Sequence, residues 1–259
     1  MRFASLGSGS RGNALVVEAD ADGSKTRVLL DCGFGPRELA LRLARLGLAP
    51  EDLDAVLVTH EHSDHSAGVM KCARRHHLQV FLSHGTLASL PNDRGEPPQL
   101  NVIDSHKIFA IGALEIRPYP VPHDAREPVQ FVFSDGRHDL GVLTDTGGAT
   151  PHIVAMLDGC DALVLECNHD SAMLAKGSYP YHLKQRIAGR FGHLDNQAAA
   201  GLLAALDRSK LQHVVAAHLS EQNNTPQLAR CALAGVLGCD MEWVGIASQD
   251  EGFVWRELI

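Results

Sequence analysis

The sequence predicts an α+β fold in which β-sheets are covered by helices on their outer faces, and three observations predict it. Apolar stretches with strand character dominate the start, strands and helices then mix, and helical segments alternate with strands in the second half. Several apolar strands also end in residues capable of chemistry, which points to one shared sheet edge.

Taken in order, Arg2 to Leu6, Ala14 to Glu18 and Arg27 to Leu30 read as strands separated by the turn formers GSGSRGN and ADADGSK. A helix follows in PRELALRLARLGL. Its proline suits the first turn, Leu39, Leu43 and Leu46 recur at helical spacing as a core stripe, and Gly47 ends it. DAVLVT (54–59) is a short buried strand, Ser66 to His76 a helix, and QVFLS (79–83) a strand. The polar segment PNDRGEPPQ (91–99) is expected to be a long surface loop. PVQFVFSDGRHDLGVLTD reads as two strands joined around Asp135 and Gly136. CDALVLE and LQHVVAAH are apolar strands, with helical segments between and after them. No linker, low-complexity tract or short-period repeat divides the chain, so one domain, 1–259, is expected.

Composition narrows the class. Apolar residues make up 45% and charged residues 21%, with no apolar run near the ~20 residues of a membrane span, so a soluble protein is expected. The N-terminus lacks the apolar core of a secretory signal, and a cytoplasmic location is expected. Six cysteines without a C-x-x-C pair read as reduced, buried thiols. The net charge of -8 disfavours non-specific polyanion binding, although bound divalent cations would offset part of it. Histidine, at 15 residues, invites a search for metal ligands.

That search leads to VTHEHSDHSAG (58–68). In an extended segment His60 and His62 point to the same side and can share one ion. Asp64 and His65 follow where the chain turns into a helix, face another direction, and could hold a second ion; Asp64 would also suit the helix N-cap. Isolated histidines are usually satisfied polar groups, but H-x-H-x-D-H at a strand end fits neither core nor solvated surface. Four residues do not complete two coordination shells. YPVPHDA, GVLTDTGG and VVAAHLSEQNN supply His123, Asp145 and His218 at further strand ends.

Those residues, in that order, resemble the metallo-β-lactamase superfamily, and the resemblance runs nearly end to end. It implies a four-layer αββα sandwich with His60, His62 and His123 on one metal, Asp64, His65 and His218 on the other, and Asp145 bridging both. The zinc β-lactamases carry a cysteine at the motif that Asp145 fills, which disfavours antibiotic hydrolysis. SLGSGSRGN, THEHSDHSAG, HDAREPV, TDTGG, LECNHD, YPYHLKQRI, GHLDNQAA and AHLSEQNNTP are similar to the WalJ/YycJ branch, related to tRNase Z and the β-CASP nucleases. That branch is associated with exonuclease activity on single-stranded DNA. The chain has no room for a separate β-CASP insertion, and Asp195 departs from the usual GHLSN.

Two divalent ions roughly 3.5 to 4 Å apart share a hydroxide, hold the scissile phosphate and stabilise attacking and leaving oxygens. Zinc is the leading ion, with manganese and iron open. The leaving group needs an acid. His193 matches the tRNase Z histidine thought to protonate the leaving oxygen, and Glu166 the acidic residue that orients it; Asp64 could accept the proton of the attacking water. Without that role, His193 is a neighbour of a helix cap. His169 and Asp170 lie beside the expected site. GSGSRGN (7–13) could let backbone N–H groups approach a phosphate, with Ser8, Arg11 and Asn13 as contacts; lacking the Walker lysine it is no P-loop, and a plain turn explains it equally. YPYHLKQRIAGRF gathers His182, Lys184, Arg186 and Arg190, with Tyr179 and Tyr181 available for base stacking. The expected function is a dinuclear metal-dependent phosphodiesterase acting on nucleic-acid ends, single-stranded DNA foremost. Thioester or lactone hydrolysis is the alternative. A diiron redox role is disfavoured by His62, which stands where a carboxylate would be required.

Overall fold

The computed structural model describes residues 1–90 and 98–259, so residues 91–97 of the expected loop lie outside the described residues. The first sheet begins with the antiparallel strands β1 (Arg2–Gly7), β2 (Ala14–Ala21) and β3 (Ser24–Leu30). It continues in parallel through β4 (Ala55–Leu57), β5 (Gln79–Ser83) and β6 (Leu100–Ile103). Helices α1 (Pro36–Ala44), α2 (Ser63–Ser66), α3 (Val69–His76) and α4 (His84–Ser89) lie between these strands in sequence.

The second sheet repeats the pattern. β7 (Phe109–Ile111), β8 (Leu114–Pro120), β9 (Val129–Ser134) and β10 (Asp139–Leu143) are antiparallel, and β11 (Ala162–Glu166), β12 (His213–Ala217) and β13 (Gly245–Ile246) follow in parallel. Its helices are α5 (Pro151–Leu157), α6 (Ser171–Lys176), α7 (Tyr181–Ile187), α8 (Asn196–Ala205) and α9 (Pro226–Leu237). β14 (Phe253–Glu257) returns to pair with β1. The orders are β14-β1-β2-β3-β4-β5-β6 and β7-β8-β9-β10-β11-β12-β13, each with three antiparallel junctions and then three parallel ones.

Three apolar clusters separate four layers. Phe3, Val17 and Val28 meet Ile116, Phe131, Phe133 and Val142 between the sheets. Val16, Leu29 and Val56 of the first sheet bury Leu39 and Leu43 of α1 together with Val69 and Cys72 of α3. Leu143, Leu163 and Val214 of the second bury Leu157 of α5, Leu202 and Leu203 of α8 and Leu233 of α9. Covering both faces explains why the strands read as apolar runs instead of clean alternations. The αββα expectation holds.

Three local readings change. β2 and β3 run on through ADADGSK, and the hairpin closes on Asp22 and Gly23, which both adopt positive φ (53° and 81°), the backbone of a type I′ turn. The Ser66 to His76 helix begins earlier and is split into α2 and α3. Gly68 sits at the break, where its N–H donates to Cys32 O and any side chain would collide with the Phe34 carbonyl. Of the cysteines, four are buried, but Cys231 is exposed and Cys239 half-buried.

Candidate metal centre

Parallel strands present their C-terminal ends together, and the chain places chemistry there from both sheets. His60 and His62 follow β4, His65 lies in α2, His123 follows β8, Asp145 follows β10, Glu166 ends β11 and His218 follows β12. Asp145 and His218 hold left-handed backbones (φ 52° and 53°), a conformation that costs energy for residues with a side chain and gathers at functional sites. Asp64 is not the cap of α2. His62 occupies that position, and the Asp64 carboxylate turns instead to the imidazoles of His65 and His218, 3.4 Å from each.

The donors fall into groups. His60, His62 and His123 form one, Asp64, His65 and His218 another, and Asp145 joins His60 and His65 in a third. Asp145 also stands with Glu166, His193 and His218. Its Oδ2 lies 2.9 Å from His65 Nε2, and its Oδ1 3.6 Å from His218 Nε2 and 4.0 Å from His123 Nε2, so it sits between the two triads.

Hydrogen bonds behind the cluster fix which ring atom faces it. A carboxylate only accepts, so His65 Nδ1–H donates to Asp31 Oδ2 at 2.7 Å. Thr59 Oγ1 donates to Asp31 and therefore accepts from His60 Nδ1 at 3.0 Å. His123 Nδ1–H donates to Gly192 O. In all three rings the Nε2 edge is left pointing inward, with His65 Nε2 3.1 Å from Asn13 Nδ2. His60 Nε2 and Asp145 Oδ2 are buried without any hydrogen bond, and His123 Nε2 faces His62 Nδ1 across 3.2 Å.

Converging lone pairs and carboxylates need positive charge between them. Bonds of about 2.0–2.2 Å at tetrahedral to octahedral angles set neighbouring donors about 3 to 3.5 Å apart, close to the separations found here. The residues fit divalent metal ions.

Electrostatics agrees. Burial would raise the Asp145 carboxyl, but the imidazoles of His218 and His65 hold it well below the usual range. Burial would lower His65, yet Asp145 and Asp31 raise it well above an ordinary histidine. Burial and the neighbouring His65 push His60 well below.

His193 stands beside this cluster. Its Nδ1–H donates to Glu166 Oε1 at 2.8 Å, with Asp145 Oδ1 at 3.3 Å. Burial opposes its charge, but Glu166 and Asp145 prevail and its pKa is pushed up to about 9. Glu166 is fully buried and fixed by the N–H groups of Thr146 and Leu194. A cleft of about 330 Å³ is lined by Asp64, Asp145, His193 and His218 together with Tyr179 and Arg186.

The remaining expected contacts divide. Ser8 and Asn13 are buried and engaged at the cluster, not open to an anion: Ser8 Oγ accepts from the His218 N–H, and Asn13 Nδ2 lies 3.3 Å from Asp64 Oδ2. Arg11 is turned to Glu221 and Asp250. Arg186 pairs with Asp124, which itself lies 3.4 Å from His123 Nε2. His169 and Lys184 line a second cavity next to His193, and His182 is exposed on α7 outside both linings. Asp195 and Asp170 cap α8 and α6.

Asp31, Thr59, Asp124 and Asn168 escape the sequence reading, although each touches a histidine of the cluster. A signal for Asp31 existed: LLDCG repeats the apolar strand, aspartate and glycine of VLTDTGG, and both aspartates adopt positive φ. Asp31→Asn keeps the shape but gives up the charge that anchors His65, and is expected to weaken metal binding about 10- to 100-fold. Competition with a chromophoric chelator measures this; an unchanged affinity would contradict the anchoring role.

Layer order, strand topology and a histidine–aspartate cluster at one edge define an αββα sandwich built to hold metal. Residues 26–219 match the family described as β-lactamase superfamily domain, and the chain belongs to that superfamily. It is 32% identical over 240 residues to exodeoxyribonuclease WalJ of Streptococcus pneumoniae serotype 2 (strain D39 / NCTC 7466), covering 91% of this chain and 88% of that one. It is 34% identical over 239 residues to exodeoxyribonuclease YycJ of Bacillus anthracis, covering 92% and 89%. Among solved structures it superposes on the metallo-β-lactamase fold protein YhfI of Bacillus subtilis with a TM-score of 0.72 at 17% identity, over 99% of both chains. Human tRNase Z, short form, gives a TM-score of 0.65 at 17% identity over the whole of both. Fold and relatives place the chain among metal-dependent hydrolases.

Proposed function

We propose that the protein is a dinuclear metal-dependent phosphodiesterase, an exonuclease acting on single-stranded DNA ends. The carrying observation is the His193–Glu166 pair, set beside two donor triads in one cleft. The relatives named exodeoxyribonuclease support it.

In this reading His60, His62 and His123 would hold one ion and Asp64, His65 and His218 the other, with Asp145 shared between the two. Zinc is the proposed metal, since imidazole and carboxylate donors suit it, with manganese or iron as the rivals. Bound there, the ions supply Lewis-acid charge at the phosphate and bring a water toward ionisation near neutral pH. Asp64, whose Oδ2 faces the His65 and His218 rings, would leave its other carboxylate oxygen to accept a proton from the attacking water. As the new P–O bond forms, the P–O bond to the leaving sugar breaks, and that oxygen takes a proton from His193 Nε2. Glu166 fixes the opposite ring nitrogen, so the donor atom is the one facing the cleft.

Residues 1–259 are read as one domain, because β14 closes the sheet that β1 opens and both sheets share a core. No helix among the described residues is long and apolar enough to cross a membrane; a cytoplasmic location is proposed from the unpaired cysteines.

The test strips metal with a chelator, restores zinc, manganese or iron singly, and assays 5′-labelled single-stranded DNA, RNA and a generic thioester. Shortening of DNA that disappears on stripping and returns on reconstitution is expected. Hydrolysis of the thioester alone would overturn the proposal.

Lys184 and Arg186 are expected to act through phosphate charge. Alanine at either should weaken single-strand binding and flatten the plot of log affinity against log salt by about 0.7 per lost contact. An unaltered slope would remove that residue from the interface.

A further inference from the structure

We infer that the cavity bounded by α6, α7 and the start of α8 is a subsite for a single nucleoside, the one that carries the leaving oxygen. This rests on the phosphodiesterase reading above and adds where one side of the substrate goes.

His193 lines two spaces at once. One is the cleft over the metal donors; the other is a separate cavity of about 500 Å³ reaching away from them. A volume of that order suits a small ligand of nucleoside size. A proton donor acts only within about 2.6–3.2 Å of the atom it protonates. With the phosphate over Asp64 and Asp145, the sugar oxygen that reaches His193 brings its sugar to the mouth of the second cavity.

The lining suits a base. Leu174 and Leu194 form a buried apolar wall. Tyr181 stands at the rim with three-quarters of its surface exposed, and its hydroxyl accepts from Gln185 Nε2 at 2.9 Å, one helical turn on, which orients the ring. An exposed, oriented ring that shares a cavity lining with an apolar wall offers a stacking platform, and stacking tolerates any base. Lys184 Nζ reaches the Ala175 carbonyl at 2.8 Å and keeps further N–H donors for a phosphate at the cavity mouth, in keeping with the charge role given to it above. Gly147 also lines the cavity, at a position where any side chain would strike the Arg190 backbone.

Ala198 offers a clean test, because it lines the cavity from an exposed position on α8 and belongs to none of the donor groups. Ala198→Trp fills the space, and unchanged melting temperature and metal content verify the fold. The substrates are thymidylyl-thymidine and two analogues lacking the base on one sugar or the other. With parent enzyme, removing the base from the leaving sugar is expected to cut kcat/KM at least about tenfold, in line with one lost stack, and removal from the other sugar less than about threefold. Ala198→Trp and Tyr181→Ala should each lose activity on the intact dinucleotide and erase that difference. Equal losses for both analogues, or a larger loss at the sugar that keeps the phosphate, would overturn the subsite.

Binding of free thymidine to metal-free protein, followed by ligand-observed NMR, is a readout independent of turnover. It should weaken at least tenfold in Ala198→Trp, and equal binding by parent and variant would overturn the inference. If reconstituted parent cleaves no dinucleotide, the phosphodiesterase reading falls, and the thymidine experiment still decides the subsite.

Discussion

Asp145→Asn is expected to lower the metal content of both donor triads together, by at least about 100-fold in affinity, without unfolding the protein. Asparagine keeps the side-chain shape and tolerates the left-handed backbone at this position, so the change isolates charge. One carboxylate oxygen faces His65 and the other faces His218 and His123, so removing its charge withdraws support from both triads at once. Losing a group that merely orients a ligand typically costs 10- to 100-fold in metal affinity, and losing a shared ligand costs more. Elemental analysis after dialysis against a fixed free-metal concentration measures it, with circular dichroism as the check on fold. Parental metal content would contradict the bridge; loss of one ion per chain would make Asp145 a ligand of one site only. Asp31→Asn is the internal comparison, because Asp31 touches His65 directly and reaches His60 only through Thr59.

The contrast between these two aspartates shows what the sequence makes legible. His60, His62, Asp64 and His65 lie within one turn of chain, so strand periodicity and local spacing already group them. His123, Asp145 and His218 are separate in sequence and became legible as polar residues terminating apolar strands, joined by the family resemblance. Asp31 ends a strand too, but its partner His65 is 34 residues away, and that contact exists only because β3 and β4 pair in parallel. Asn168 reaches His218 across β11 and β12, 50 residues apart, for the same reason. Turn chemistry in the sequence misleads where polar residues stay in a ladder: Asp20 and Lys25 pair across β2 and β3, leaving only Asp22 and Gly23 to turn. The split between α2 and α3 depends on Gly68 meeting Cys32 and Phe34, a contact that helix periodicity does not encode. Ser8 and Asn13 read as phosphate contacts in the sequence, but their turn folds inward against His218 and Asp64.

His193→Ala is expected to leave metal content unchanged while lowering turnover of single-stranded DNA about 100- to 10,000-fold, the range that a positioned proton donor contributes. The imidazole lies outside the two triads yet shares the cleft with them, and Glu166 holds its Nδ1 from a fully buried position. A structural role would predict a different pattern, since a ring that only packed beside α8 would affect all substrates alike. Leaving-group chemistry separates the two. A sugar alkoxide is a poor leaving group and needs a proton as the P–O bond breaks, whereas p-nitrophenolate leaves without one. The loss on bis(p-nitrophenyl) phosphate should therefore stay within about tenfold, while the loss on DNA is large. Glu166→Gln keeps a hydrogen-bond acceptor for Nδ1 but removes the charge that favours the protonated ring, and should fall between parent and His193→Ala on DNA with little change on the activated diester. Equal losses on both substrates would withdraw the acid role from His193, and with it the assignment of the leaving side of the cleft, whereas the metal donors would stand unaffected.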